Sequence, residues 1–303
     1  WPPEGLELAR VVYEAPVEGN IPRFMAIYTD DVEVMKVGPV RSARPYFLDW
    51  LAEYGNPPYL HVGGSPEALE KIAGYKIFDI DEFFRDWYFW RSDDRGRPHN
   101  TYTSSLLWKK ARVDYETYNT DVTYEGWTFS DMEVCDNENL KIENLKITKL
   151  GSEKTVSSTD NANPYRNISD SKIEYKCADS VTASFLSPTY DVTWKYVPET
   201  GRYERYQNSE KQFDTDVPIE ADTVIIQRVK VATVDEVGRK RIDTVGSGEA
   251  IVFRDGYKIS GIWKKASRKE KRQSKKEPQV RKIQVKGKTK KGQAKETQDK
   301  TLI

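Results

Sequence analysis

The sequence predicts two folded domains of different class: an α/β or α+β domain at the N-terminus and a mostly antiparallel β domain nearer the C-terminus. Three observations predict this division. Up to about residue 115, β-prone runs alternate with helix-like stretches. Residues 181–263 hold β-prone runs with few helix signals. The chain of 303 residues has room for two domains, and its 8 Trp and 18 Tyr are ample for a packed core.

The N-terminal domain is expected to begin with short strands. Residues 11–13 and 24–28 are β-prone runs, and residues 32–37 alternate with period two, which is typical of a half-buried strand. Asp30 and Asp31 suit a turn between the second and third of these runs.

Helices and a further strand are predicted next. Residues 45–54 form the first helix, because a proline is tolerated in its first turn and a glycine follows its end. Residues 59–62 form a strand, and Ser65 is suited to cap the helix that follows it. A third helix opens at Thr103 or Ser104.

The C-terminal domain is predicted from a series of β-prone runs. Asp255 and Gly256 separate the last two of them and give a strong hairpin signal. The runs cover residues 181–186, 190–196, 202–206, 223–234, 250–253 and 257–263. We therefore predict an α/β domain over residues 1–125, a variable insertion or connection over 126–180, an antiparallel β domain over 181–263 and a basic disordered tail over 264–303.

The net charge of zero hides an asymmetry between the body and the tail. Residues 264–303 carry 16 Lys and Arg against 4 Asp and Glu, so residues 1–263 carry 32 against 44. The tail is interpreted as a solvated end in preference to a nucleic-acid-binding segment. No apolar run is long enough to span a membrane. Because the chain starts at Trp1, we expect that any signal peptide or lipid-attachment cysteine preceded it.

The two cysteines leave two interpretations open. Cys135 and Cys177 lie 42 residues apart without CxxC spacing or a neighbouring histidine, so we predict no metal site. They are either free thiols or, in an exported protein, a disulfide.

Polar junctions in the first third of the chain are the candidates for a site. The only two histidines, His61 and His99, each lie in a segment rich in glycine, proline or arginine. Either imidazole is suited to acid–base chemistry near neutral pH, although a single histidine is often structural. Asn100 follows the second histidine in its displayed Pro-His segment.

A possible anion site surrounds the first histidine. Gly63 and Gly64 lie between a strand and a helix capped by Ser65, a junction that exposes backbone N–H groups to an oxyanion. Arg41 and Arg44 flank Ser42 just before another helix, and paired arginines suit oxyanion recognition. The alternatives are a tight turn and surface ion pairs.

A pair of carboxylates precedes these arginines. Glu14 and Glu18 lie in a loop after a strand and could do acid–base work or bind a metal with a histidine. Pairing with Arg23, Arg41 or Arg44 is the interpretation that we favour. We predict no cofactor.

Several of these strings together resemble the YerB-like family of bacterial extracytoplasmic proteins, whose function is unknown and some of which are lipoproteins. The resembling stretches are residues 12–26, 38–46, 61–65, 98–100, 244–256 and 261–263. The resemblance implies export, a lipid anchor in the full-length protein and a cell-envelope role. It also gives weight to a disulfide between Cys135 and Cys177.

The leading hypothesis is a module that binds an anionic small molecule or a cell-wall polymer in the N-terminal domain. The alternatives are a hydrolase or phosphotransferase acting on cell-wall glycan or a lipid-linked precursor, and a protein–protein scaffold. For the enzyme, the candidate catalytic residues are Glu14, Glu18, His61 and His99. The predicted ligand-binding residues are Arg23, Arg41, Ser42, Arg44, His61, Gly63, Gly64, Ser65, His99 and Asn100.

Overall fold

The computed structural model describes residues 3–118, 135, 145–147, 175–185, 187–269, 273–275 and 301–302. Helices occur in the N-terminal part together with short strands. Its elements are β1 (Val11–Pro16), β2 (Pro22–Ile27), α1 (Pro45–Leu51), β3 (Tyr59–His61), α2 (Pro66–Tyr75), β4 (Asp79–Asp81), β5 (Trp90–Arg91), β6 (Thr101–Tyr102) and α3 (Ser105–Asp114).

The rest of the described chain is built from strands, most of them antiparallel. The strands are β7 (Leu145–Ile147), β8 (Tyr175–Cys177), β9 (Ser180–Ala183), β10 (Val192–Val197), β11 (Arg202–Gln207), β12 (Glu210–Lys211), β13 (Phe213–Asp214), β14 (Val217–Pro218), β15 (Glu220–Ala221), β16 (Thr223–Gln227), β17 (Val231–Thr233), β18 (Lys240–Ile242), β19 (Gly246–Arg254), β20 (Tyr257–Lys265), β21 (Gln273–Lys275) and β22 (Thr301–Leu302). The predicted fold class of each half is confirmed.

The N-terminal hairpin belongs to the large sheet of the C-terminal half. That sheet has the order β2-β1-β22-β16-β19-β20-β21, with β8 also on β20. Strand β22 runs parallel to both β1 and β16 and lies between them. Strand β2 is therefore at the edge of the sheet and, among the described residues, pairs only with β1.

Two apolar cores cover the two faces of the hairpin. On one face Tyr13 stacks on Trp50 of α1, with ring centroids 4.9 Å apart. On the other face Val12 packs in a core with Trp194 and Tyr203 from the second, six-stranded sheet. Alternate residues of a strand point to opposite faces, so the apolar residues of β1 serve both cores.

Ion pairs lie buried where the two halves meet. The Arg205 guanidinium on β11 donates to a Glu14 carboxylate oxygen on β1 at 2.7 Å, and both side chains are almost fully buried. Burial raises the pKa of Glu14, and the charge and hydrogen bond of Arg205 oppose that shift. At the end of β20, the ammonium of Lys265 donates to Glu53 at 2.7 Å and to the backbone carbonyl of Asp49 at 2.6 Å.

The structure differs from the sequence predictions at two places. Residues 32–37 do not form a strand, because the Val34 N–H donates to the Ser105 hydroxyl at 3.0 Å and only Val37 makes a bridge, to Thr103. The predicted start of the tail after residue 263 falls inside β20, whose last residue, Lys265, is buried.

Of the two interpretations of the cysteines, the structure has the disulfide: Cys135 and Cys177 are bonded, with Cα atoms 5.8 Å apart. Most of the predicted connection over residues 126–180 and most of the predicted tail lie outside the described residues. No helix of the described part is long and apolar enough to cross a membrane.

Candidate functional site

A cleft runs along the open edge of β2. Its volume is about 790 Å³, within the range of about 300–1,000 Å³ that is typical of ligand sites. Residues 21–30 line one side of the cleft, and residues 37–42 and 56–60 contribute to the rest of the lining. The stacked rings of Tyr28 and Trp108, with centroids 5.0 Å apart, lie among the lining residues beyond the last residue of β2.

Three arginines gather near the first residues of β2, with one carboxylate among them. The Arg44 guanidinium makes a bidentate contact with Glu18, Nε donating at 2.9 Å and Nη2 at 2.6 Å. Arg23 donates to the backbone carbonyl of Ser42 at 2.8 Å. Arg41 donates to the backbone carbonyl of Pro98 at 2.6 Å. The cluster therefore holds more positive than negative charge.

The pKa values of the cluster reflect this imbalance. Burial, together with the charges of Arg44 and Arg41, lowers the pKa of Arg23 to about 10, although Glu18 acts in the opposite direction. Burial and the charge of Arg44 also lower the pKa of Arg41. Burial acts to raise the pKa of Glu18, but hydrogen bonding and charge from Arg44 outweigh it and the net shift is downward. An anion bound here would relieve the repulsion between the guanidinium groups.

The acidic side chains of the cleft lining are already paired. Glu4 pairs with Lys36 at 3.0 Å, Glu18 with Arg44 at 2.6 Å, and Asp30 with Arg112. Among the described residues, neither Arg23 nor Arg41 forms an ion pair with a carboxylate within 4 Å, although both line the cleft. The lining therefore offers guanidinium groups whose charge is not matched by a direct carboxylate contact.

The second histidine lies at the mouth of this cluster. His99 is exposed, lines the cleft, and has its Nδ1 atom 3.4 Å from a guanidinium nitrogen of Arg41. Asn100 is buried beside it and is held by two hydrogen bonds, accepting from Arg91 at 3.0 Å and donating to the Ser92 carbonyl at 3.0 Å. The amide of Asn100 thus supports the loop.

The first histidine lies away from the cleft lining. His61 is 1% exposed and stacks on Tyr59. Its Nδ1 atom lies 2.8 Å from the Gly63 carbonyl oxygen, and its Nε2 atom lies 2.6 Å from a carboxylate oxygen of Asp79. Both ring nitrogens therefore have partners within the fold.

The predicted glycine junction is also occupied by its own chain. The Gly63 N–H donates to the Asp81 carboxylate at 2.8 Å, and Gly64 forms a parallel bridge with Ala43. The Ser65 hydroxyl caps α2 by accepting from the Ala68 N–H at 3.3 Å, as the sequence predicts. The N–H groups of Gly63 and Ser65, which the sequence analysis offers to an oxyanion, therefore donate to Asp81 and to the Ala43 carbonyl of this chain.

The structure thus brings together only part of the predicted site. The predicted residues that line the cleft are Glu18, Arg23, Arg41, Ser42 and His99. Arg44 lies behind them on Glu18, and Glu14 is buried against Arg205. No group of three or more metal-ligating side chains occurs in the described part of the chain.

Sequence reasoning missed the open edge of β2. In this hairpin the Val17 N–H bonds to the Ile21 carbonyl, and paired residues alternate between bonded and non-bonded positions. Arg23, Met25 and Ile27 therefore direct their backbone polar groups at β1, whereas Phe24 and Ala26 direct theirs at the cleft. No local sequence pattern marks an edge strand, because a strand lies at the edge only if no second strand pairs with it in the folded sheet.

The fold and the cleft define a two-domain protein whose halves share one sheet and whose cleft holds an excess of arginine. The chain belongs to the YerB-like family. Residues 1–119 match the family model described as "Protein of unknown function (DUF3048) N-terminal domain", and residues 181–289 match the corresponding C-terminal domain.

Two comparisons with known proteins support this membership. The chain is 28% identical over 271 residues to "Putative lipoprotein YerB" of Bacillus subtilis (strain 168), covering 88% of this chain and 70% of that protein. The crystal structure of YerB protein from Bacillus subtilis matches with a TM-score of 0.69 at 24% identity, covering 91% of this chain and 80% of that one. The structural match shows the same fold.

Proposed function

We propose that this protein acts outside the cytoplasm as a cell-envelope ligand-binding protein, and that its cleft binds the anionic group of its ligand. Arg23 and Arg41 contact that group, and His99 lies beside it. The observation that carries the proposal is the cluster of three guanidinium groups around the single carboxylate of Glu18. Guanidinium groups suit carboxylate and phosphate oxygens because their donors match the spacing of two oxygens.

The role of Arg44 differs from the sequence hypothesis. The Arg44 guanidinium makes a bidentate contact with Glu18 and donates to the backbone carbonyl of Ala43 at 2.7 Å. Its donors are therefore used within the fold. We infer that Arg44 fixes Glu18 and raises the local positive potential, while Arg23 and Arg41 bind the ligand directly.

The compartment is proposed from two observations. The relative from Bacillus subtilis is named "Putative lipoprotein YerB", and a lipoprotein is anchored at a membrane surface. The disulfide between Cys135 and Cys177 is the kind of bond that persists in an oxidising compartment. Under this proposal, an anionic small molecule or a cell-wall polymer bearing carboxylate or phosphate is the ligand, and a lipid anchor on the full-length protein is its only membrane contact.

Isothermal titration with peptidoglycan fragments, phosphorylated sugars and inorganic phosphate tests the proposal. We expect at least one of these probes to bind, and the double variant Arg23→Gln with Arg41→Gln to weaken that binding at least about tenfold, since charged hydrogen bonds contribute about 1.5–3 kcal/mol each. Arg241→Gln is the matched control, because Arg241 is exposed and does not line this cleft.

Two outcomes would overturn the proposal. One is equal binding of a probe to the wild type and the double variant, and the other is an equal loss of binding in the Arg241→Gln control. Of the four candidate catalytic residues of the enzyme alternatives, Glu18 and His99 line the cleft, whereas His61 and Glu14 are buried in contacts of their own and do not line it.

A further inference from the structure

The open edge of β2 is the second distinctive feature of the cleft. The backbone N–H and C=O groups of Phe24 and Ala26 face the cleft and have no hydrogen-bond partner among the described residues. An unpaired sheet edge is a template for another strand. Proteins usually cover such an edge or disrupt it with charge, proline or a bulge, but here the open stretch lies inside a cleft.

The surroundings of the edge suit an extended chain. Residues on one face of β2, such as Met25, pack in the core with α1, and residues on the other face, such as Phe24, pack against the core of the second sheet. A strand added beside β2 would therefore enter a groove that the protein already shapes. Six residues of β2 extend for roughly 20 Å at about 3.4 Å per residue.

The charge of the groove selects among extended chains. Arg23 and Arg41 lie near the start of β2, and the acidic side chains of the lining are already paired within the fold. The other end is aromatic, with Tyr28 stacked on Trp108. A peptide with an acidic group near one end and apolar side chains elsewhere complements both ends.

We propose that the ligand of this cleft is an extended acidic peptide that adds a strand to the edge of β2. Its backbone pairs with Phe24 and Ala26, and its carboxylate binds Arg23 and Arg41. This inference rests on the proposed function, because it uses the same arginines, and it adds the chemical class of the ligand. Backbone pairing would supply affinity, and the arginines would fix the register of the peptide.

Blocked hexapeptides of alternating valine and threonine test the inference. The peptides of the first set carry two glutamates at either the amino or the carboxyl end. The second set has glutamines in place of these glutamates and lacks the charge. The third set keeps the glutamates but is N-methylated at alternate amides, which blocks backbone pairing. We expect the unmethylated acidic peptide to bind at least about tenfold more tightly than either control, because each control removes hydrogen bonds that involve a charge or the backbone.

Amide hydrogen exchange reports the position of the peptide. We expect the amides of Phe24 and Ala26 to exchange fast in the free protein and slowly with the acidic peptide. Met25 and Ile27 are internal controls, since β1 already protects their amides in the free protein. The double variant Arg23→Gln with Arg41→Gln should weaken the binding of the acidic peptide and leave the weak binding of the glutamine peptide unchanged.

Four results would overturn the inference. The first is binding of a peptide without slower exchange at Phe24 and Ala26, and the second is equal binding of the N-methylated peptide. The third is slow exchange of both amides in the free protein, which would show that another segment already occupies the edge. Binding of inorganic phosphate that depends on Arg23 and Arg41, without binding of any peptide, would overturn this inference and leave the proposed function standing.

Discussion

At the scale of single residues, chemical type alone does not separate ligand contacts from internal ones. His61 and His99 are equally suited to bind or catalyse, yet one is buried between a carbonyl and a carboxylate and the other lies at the cleft. Arg44 and Arg41 are three residues apart, and within the described part of the chain only Arg44 of the two has a carboxylate partner. The members of each pair differ in whether an acidic side chain from a distant part of the sequence lies within hydrogen-bonding distance. The local spacing of residues in the sequence does not reveal this.

Replacing His61 by phenylalanine should reduce stability and leave binding intact. The phenyl ring is larger than the imidazole, and the Gly63 carbonyl and the Asp79 carboxylate each lose a partner. We expect the free energy of unfolding to fall by about 2–4 kcal/mol, from the unpaired buried carbonyl and from the overpacking by the larger ring. Urea denaturation measures this loss, and titration with the ligand of the cleft measures affinity. A variant with normal stability and no affinity would assign His61 to the site instead.

At the scale of elements, the sequence predicts what local chemistry dictates. The Asp255-Gly256 hairpin forms as predicted, with both residues at positive φ, and Ser65 caps α2. The alternation of residues 32–37 predicts a strand wrongly, because Val34 bonds instead to the start of α3. Period-two patterns report which residues are buried, and an irregular segment can bury the same residues if its backbone finds other partners.

The turn at Gly63 provides a prediction at this scale. Gly63 has a φ of 58°, and a Cβ atom there would lie 2.6 Å from a ring carbon of Phe83. We expect Gly63→Ala to lower the free energy of unfolding by about 1–3 kcal/mol through backbone strain and that contact. Denaturant unfolding measures the change.

Gly74 is the matched control for Gly63. It lies in α2 with open space around it, so Gly74→Ala should raise stability by up to about 1 kcal/mol. If both alanine variants were destabilised alike, the loss at Gly63 would not come from its conformation.

At the scale of the whole molecule, strands from the two matched domain regions share one sheet, which couples the two halves. The hairpin at residues 11–27 is an edge of a sheet whose other strands, apart from β8, lie beyond residue 220. The sequence predicts strands at residues 11–13 and 24–28 but predicts neither their pairing with each other nor their place in the sheet. The place is not predicted because β22 and β16 are distant in sequence, and pairing over such separations leaves no local pattern. The cleft depends on that placement, since an edge exists only once the order of the sheet is set.

The buried pair between Glu14 and Arg205 tests this coupling. Glu14→Gln leaves a guanidinium buried without its counter-charge, so we expect the free energy of unfolding to fall by about 3–5 kcal/mol in a single cooperative transition. The exposed pair of Arg228 and Glu249 is the control, and Glu249→Gln should cost less than about 1 kcal/mol. Calorimetry gives both the midpoint and the number of transitions.

A double variant separates the charge from the packing. Replacing Glu14 by leucine and Arg205 by methionine together removes both buried charges and keeps apolar bulk, so it should cost less than Glu14→Gln alone. If the two halves instead unfolded in separate transitions, with Glu14→Gln shifting only one, the shared sheet would not couple them. The cleft, whose base is the edge of that sheet, would then depend on the N-terminal half by itself.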